Sequence, residues 1–165
     1  KIVDDYLVKS DTIIAKVLSD KGSPFLRSII INKGSKQKIN LGMAVMDGAY
    51  IVGKVVEVNY LSSRVLLLSD LNSKIPVIIE PNAVFSILSG TGKDYGVIQY
   101  SKKYEDIKNE SVIYTSGAGS LFKAGIPIGR MNINNLNDEK KVEFFSDFSQ
   151  LKFVKVVSFK KSENK

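Results

Sequence analysis

The sequence predicts an all-β chain of the sandwich or barrel kind, and three observations lead there. Short runs rich in Val, Ile and Tyr recur at roughly the 8 to 12 residue spacing of sandwiches and barrels. The stretches between them are clusters of Gly, Asn, Asp and Ser. No long run of helical period interrupts the series.

Taken in order, KIVDDYLVK (1–9) places Ile2, Val3 and Tyr6 at helical spacing and reads as the end of an upstream helix or linker. TIIAKVL (12–18), SIIINK (28–33), YIVGKVVEV (50–58), RVLLLS (64–69) and KIPVII (74–79) read as strands because β-branched and aromatic residues fit a pleated, half-buried surface. AVFSIL (83–88), YGVIQY (95–100), SVIYTS (111–116), IPIGRMNI (126–133) and FVKVVSF (153–159) continue the series. The turns between them carry residues that tolerate positive φ, such as Asp47-Gly48 and Ser89-Gly90. Helical turns are expected only at SPFLRS (23–28) and FSDFSQL (145–151).

A weak internal echo sets the domain division. GMAV (42–45) followed by GKV (53–55) has a compressed counterpart in GIPI (125–128) followed by GRM (129–131). Two barrels of similar design give such a pattern, with the join near Glu80-Pro81-Asn82. The expected organisation is therefore a linker at 1–9, a first barrel at 10–81 and a second at 82–165, with the last strand free to return to the first barrel.

Composition excludes much chemistry. The 165 residues, 44% of them hydrophobic, suffice for one good core or two small ones. The chain starts at Lys1 rather than Met and holds no apolar stretch near the roughly 20 residues of a membrane span, so any anchor is expected upstream. Cysteine is absent, which removes disulfides, thiolate nucleophiles and thiolate metal sites. Histidine is absent too, and with it the usual general base, proton shuttle and metal ligand. The net charge of +7 comes almost wholly from lysine, the only arginines being Arg27, Arg64 and Arg130. Scarce guanidinium argues against base or phosphate recognition, although a nucleic-acid-binding protein with OB-like barrels remains the first alternative.

The most suggestive stretch, TSGAGSLFKAGIPIG (115–129), fails the phosphate motifs. In GTGKD (90–94) the first P-loop glycine would fall at Ile87, and Asp94 stands where Ser or Thr must bind magnesium. A dinucleotide fingerprint from Gly117 would need glycine at Phe122. A serine in a Gly-rich loop of a two-barrel protein invites comparison with chymotrypsin-like hydrolases, but without histidine no Ser-His-Asp relay can form. A Ser/Lys dyad, Ser116 or Ser120 with Lys123, is the remaining enzymatic alternative. No catalytic, metal or cofactor residue is assigned.

INKGSKQKINLGMAV (31–45), IVGKVVEVNYLSSRVLLLSD (51–70) and TSGAGSLFKAGIPIGRM (115–131) together closely resemble the MreC family of rod shape-determining proteins, in the region outside the cytoplasmic membrane. Asn109-Glu110 departs from the Gly-Asp common there. The resemblance implies two small β-barrel domains of the six-stranded type, distantly chymotrypsin-like in architecture and without catalytic residues. It also implies a non-enzymatic scaffold of bacterial cell elongation and rod-shape maintenance, on the periplasmic or extracytoplasmic face of the inner membrane. The implied partners are a class-B peptidoglycan transpeptidase, MreD and the MreB system, with no nucleic acid, no cofactor and a transmembrane anchor upstream. Self-association is expected through exposed strand edges. On this reading Gly117, Gly119, Gly125 and Gly129 are structural. Tyr95, Ile98, Tyr100, Leu121 and Phe122, in the half bearing the glycine loop, are the expected partner contacts, Leu121 and Phe122 being either exposed there or a lid over the barrel end.

Overall fold

Alternation along the strands sorts their side chains between two interiors and two outer surfaces. The computed structural model describes residues 12–18, 27–99, 107–120, 122–133 and 139–159. Their strands are β1 (Thr12–Leu18), β2 (Ser28–Ile31), β3 (Ala44–Asp47), β4 (Tyr50–Val58), β5 (Ser63–Leu67), β6 (Lys74–Glu80), β7 (Val84–Gly90), β8 (Tyr95–Gln99), β9 (Val112–Thr115), β10 (Pro127–Ile133), β11 (Lys140–Phe144) and β12 (Phe153–Val157). All pairings are antiparallel.

The strands close two six-stranded barrels, ordered β1-β12-β3-β4-β5-β2 and β10-β11-β8-β7-β6-β9. The two orders are the same Greek key once β12 is counted as the first strand of the first barrel. Each barrel then pairs its first strand with its second and fourth, and its third with its sixth. The C-terminal strand therefore supplies the element that the first barrel lacks at its start.

The division at 81 is corrected. β6 lies before that point yet pairs with β7 and β9, so it belongs to the second barrel, and Glu80-Pro81 is only the turn from β6 to β7. The chain crosses between barrels at 68–73. There the buried Asp70 carboxylate accepts hydrogen bonds from the Arg27 amide at 2.7 Å and the Asn72 amide at 2.8 Å. One side chain thus fastens an element of the first barrel to the start of the second.

The internal echo is half structural. Gly53 on β4 and Gly129 on β10 occupy the fifth strand of their respective barrels, each beside a register shift. A Cβ at either position would collide with a carbonyl of the sixth strand, that of Leu66 or Glu143. Glycine is required at both for close strand approach. GMAV and GIPI do not correspond, since the first leads into a fourth strand and the second into a fifth.

β11 escaped the sequence, while β3 was read only through the internal echo, as the Gly-bounded apolar strand GMAV (42–45). Both faces of β3 are covered: Val45 points into the first core, while Ala44 and Met46 join the second. Ile51, Leu68 and Val157 join it likewise, so the outer face of the first barrel near β3 is built into the core of the second. The segment 145–151 does contain a 3-10 turn, Phe148–Gln150, begun by Asp147. Asp147 accepts from the Ser149 hydroxyl at 2.6 Å and amide at 3.0 Å, and these bonds hold its carboxyl below the usual carboxylate range. Of SPFLRS, Ser28 opens β2 and 23–26 lie outside the described residues, as does the expected helical end at 1–9. In the turn at Asn109-Glu110, Glu110 takes the left-handed conformation, with φ 65°.

Closure also removes the edge strands on which self-association was expected to depend, because a closed barrel leaves no row of unpaired backbone groups. Association between copies of the described barrels has to use outer faces instead.

Candidate protein-binding surface

The glycine loop joins β9 to β10 and is organised from within. The Thr115 hydroxyl donates to the Lys123 carbonyl at 2.6 Å and accepts from the Ile126 amide at 2.9 Å, while the Gly125 amide donates to the Thr115 carbonyl at 2.8 Å. Gly117, Gly119 and Gly125 have φ of 77°, 71° and 88°, a region that costs glycine nothing. The Ser116 hydroxyl accepts from the Ala118 amide at 3.2 Å, the bond of a residue that closes a turn. These bonds give the loop a structural employment that owes nothing to nucleophilic chemistry.

Phe122 is not on the surface. Its side chain is 6% exposed and joins the second core with Ile126 and Ile128, so it plugs the barrel. Ile98 is 5% exposed in the same core, because odd and even positions of β8 face opposite ways. Neither presents a contact surface. Tyr95 does point outward, half-buried, with the Lys141 ammonium 4.5 Å from its ring centroid. Tyr100 and Leu121 lie outside the described residues.

The outer wall of the second barrel divides by chemistry. On one side β10 and β11 pair Arg130 with Glu143 and Asn132 with Lys141, and the Asn132 amide group donates to Glu143 at 2.6 Å. On the other side Ile78 of β6 stands directly opposite both Phe85 of β7 and Tyr114 of β9, and Tyr114 stands opposite Pro127 of β10. Facing residues in such a row have Cβ atoms about 5 Å apart, so they make one continuous surface. Pro76 opposite Ile87 extends it by a second row. Phe85, at its edge, is 65% exposed.

This side of a barrel would ordinarily be polar, and a phenylalanine left in water beside a tyrosine and an isoleucine is the kind of exposed apolar patch on which a partner can dock. An open recess of about 420 Å³ continues from Tyr114, lined also by Glu80, Pro81, Lys108, Glu110 and Val112. The surface therefore offers a flat apolar platform with a polar-rimmed hollow at one end. Sequence reasoning missed it although a signal was present: KIPVII is apolar at both odd and even positions, which in a barrel demands something outside as well as inside.

A sequence model of the family described as "Rod shape-determining protein MreC, barrel core" matches residues 17–158. The cell shape-determining protein MreC of Cereibacter sphaeroides is 32% identical over 141 residues, covering 86% of this chain and 47% of that protein. The crystal structure of MreC from Pseudomonas aeruginosa superposes with a TM-score of 0.82 at 27% identity, covering 90% of this chain and 99% of that one. A chain of the solved complex between a penicillin-binding protein and MreC from Helicobacter pylori shares the fold, with a TM-score of 0.66 at 15% identity over 91% of this chain and 99% of that one. The chain spans about half the length of the curated relatives it matches. With the family's barrel core recognised across nearly its whole length and both barrels reproduced in a solved relative, the chain belongs to the MreC family of rod shape-determining proteins.

Proposed function

We propose that the chain is the partner-binding part of a non-enzymatic scaffold for cell elongation, acting outside the inner membrane. There it would hold a class-B peptidoglycan transpeptidase in register with the MreD and MreB system, tethered by an anchor upstream. The observation that carries this reading is the apolar row Phe85, Ile78 and Tyr114 on the outer wall of the second barrel. Such a row suits a protein partner, because aromatic and aliphatic anchors on a rigid element are what desolvated interface centres are made of. The complex of a penicillin-binding protein with MreC from Helicobacter pylori supports the choice of partner. Neither a nucleic acid nor a hydrolysable substrate is favoured by a platform without charge.

Isothermal titration of the chain with the non-catalytic N-terminal region of the transpeptidase tests the reading. Saturable one-to-one binding is expected. Absence of heat together with absence of co-elution on gel filtration would show that this chain is not the transpeptidase-binding part.

A further inference from the structure

The end of the first barrel carries another exposed surface, of different chemistry. The turn between β4 and β5 is closed by the Asn59 amide donating to the Ser62 carbonyl at 2.8 Å. Against it lies the segment 34–42. The Ser35 and Lys36 amides donate to the Asn59 and Tyr60 carbonyls at 2.9 and 3.0 Å, and the Gly42 amide donates to Val55 at 2.8 Å. Gly34 sits so close to the turn backbone that a Cβ there would overlap the Tyr60 carbonyl at 2.6 Å. The two loops are therefore tied into one tip. Tyr60 and Leu61 project from the turn with 64% and 55% of their surface exposed, and Leu41, next to the Gly42–Val55 bond further along β4, is 67% exposed.

Charge distinguishes this tip from the platform on the second barrel. Between Ile31 and Met46 the chain has Lys33, Lys36 and Lys38 and no acidic residue. Glu57, the acid nearest in sequence to the turn, is engaged with Arg64 at 3.2 Å. The Lys36 ammonium lies 6.0 Å from the Tyr60 ring centroid. Exposed leucine and tyrosine accompanied by lysines in the same pair of loops suit a bilayer interface: the apolar groups enter the acyl boundary while long lysine stems carry their ammonium groups to the phosphates. Lysine, a flexible point charge, suits mobile headgroups, whereas a fixed carboxylate partner would favour arginine forks.

We propose that the tip formed by Leu41, Tyr60 and Leu61 with Lys33, Lys36 and Lys38 docks on a bilayer surface rich in anionic phospholipid. This does not depend on the transpeptidase reading, since it concerns the opposite chemistry on the other barrel.

The chain contains no tryptophan, so Tyr60→Trp introduces a single reporter at the apex. Vesicles of phosphatidylcholine alone, or mixed with phosphatidylglycerol, are the probes. Only the mixed vesicles are expected to shift the emission to the blue and to allow quenching by brominated acyl chains. In vesicle sedimentation, Lys36→Glu is expected to weaken binding about fivefold or more, the effect of one lysine at an anionic surface. Lys74→Glu, an equal change of net charge on the second barrel, is expected to leave it within about twofold if attraction is local to the tip. Leu41→Ser with Leu61→Ser should weaken it about tenfold or more through lost apolar insertion. Circular dichroism confirms that each variant is folded. An unshifted tryptophan, wild-type protein that ignores phosphatidylglycerol, or equal losses from Lys36→Glu and Lys74→Glu would each overturn the proposal.

Discussion

Phe122→Ala separates a barrel plug from a contact residue. The ring is 6% exposed within the second core, so truncation removes both its transfer free energy and the packing around the vacated space. Buried Phe→Ala changes cost about 3–5 kcal/mol. That is a large share of the roughly 5–15 kcal/mol by which a domain is stable. At about 2–4 °C per kcal/mol for a chain of this size, the melting temperature should fall by about 6–20 °C. Phe85→Ala is the matched control, the same chemical change at a position 65% exposed, and should alter stability by no more than about 0.5 kcal/mol. Differential scanning calorimetry of the two variants side by side is the assay. If Phe122→Ala melts like wild type, or if both variants fall equally, the assignment of Phe122 to the interior and Phe85 to the surface is wrong.

Gly53→Ala and Gly129→Ala should each lower the urea midpoint by the equivalent of about 1–3 kcal/mol, since the new methyl meets a neighbouring strand's backbone; an unchanged midpoint for both would refute the close approach. Asp70→Ala strips acceptors from the Arg27 and Asn72 amides at the crossing between barrels, and equilibrium unfolding should show a loss of about 2 kcal/mol or more. Asp147, hydrogen-bonded by Ser149, should titrate by side-chain NMR below the ordinary value of about 3.9, and Ser149→Ala should raise it. The corresponding stability is present above the unfolded-state pKa and is lost as pH falls through the lower folded value. A midpoint at or above the ordinary one would contradict the bonding seen.

Strand existence was legible wherever β-branched residues ran together between turn formers, as in TIIAKVL and YIVGKVVEV, because local propensity and pattern agree there. β11 was not, since KKVEF fully buries only Val142, leaves Phe144 partly buried against the core and opens on two lysines. β3 was legible only as the apolar run GMAV of the internal echo, because a four-residue strand buried on both faces shows no alternation. The barrel boundary failed for a different reason: whether KIPVII continues the strands before it or begins the next set is decided by pairing with β7 and β9, which sequence order does not reveal. At the candidate surface, proximity to the glycine loop directed attention to Phe122 and Ile98, both interior. The exposed Phe85 lay inside an ordinary strand, and only its cross-strand neighbours Ile78 and Tyr114 give it meaning.

On the proposed function, the outer wall formed by β6, β7 and β9, and not the polar wall carrying Tyr95, receives the protein partner. Calorimetric titration of the transpeptidase's N-terminal region into Phe85→Ala and Tyr95→Ala, both first shown to melt normally, tests it most directly. Covering the exposed part of a phenylalanine of about 200 Å² total area is worth about 3 kcal/mol at 25 cal/mol per Å², so Phe85→Ala should weaken binding by about a hundredfold. Tyr95→Ala should stay within about twofold of wild type, as residues outside an interface centre do. Wild-type affinity in Phe85→Ala, with the loss appearing in Tyr95→Ala instead, would place the partner on the polar wall.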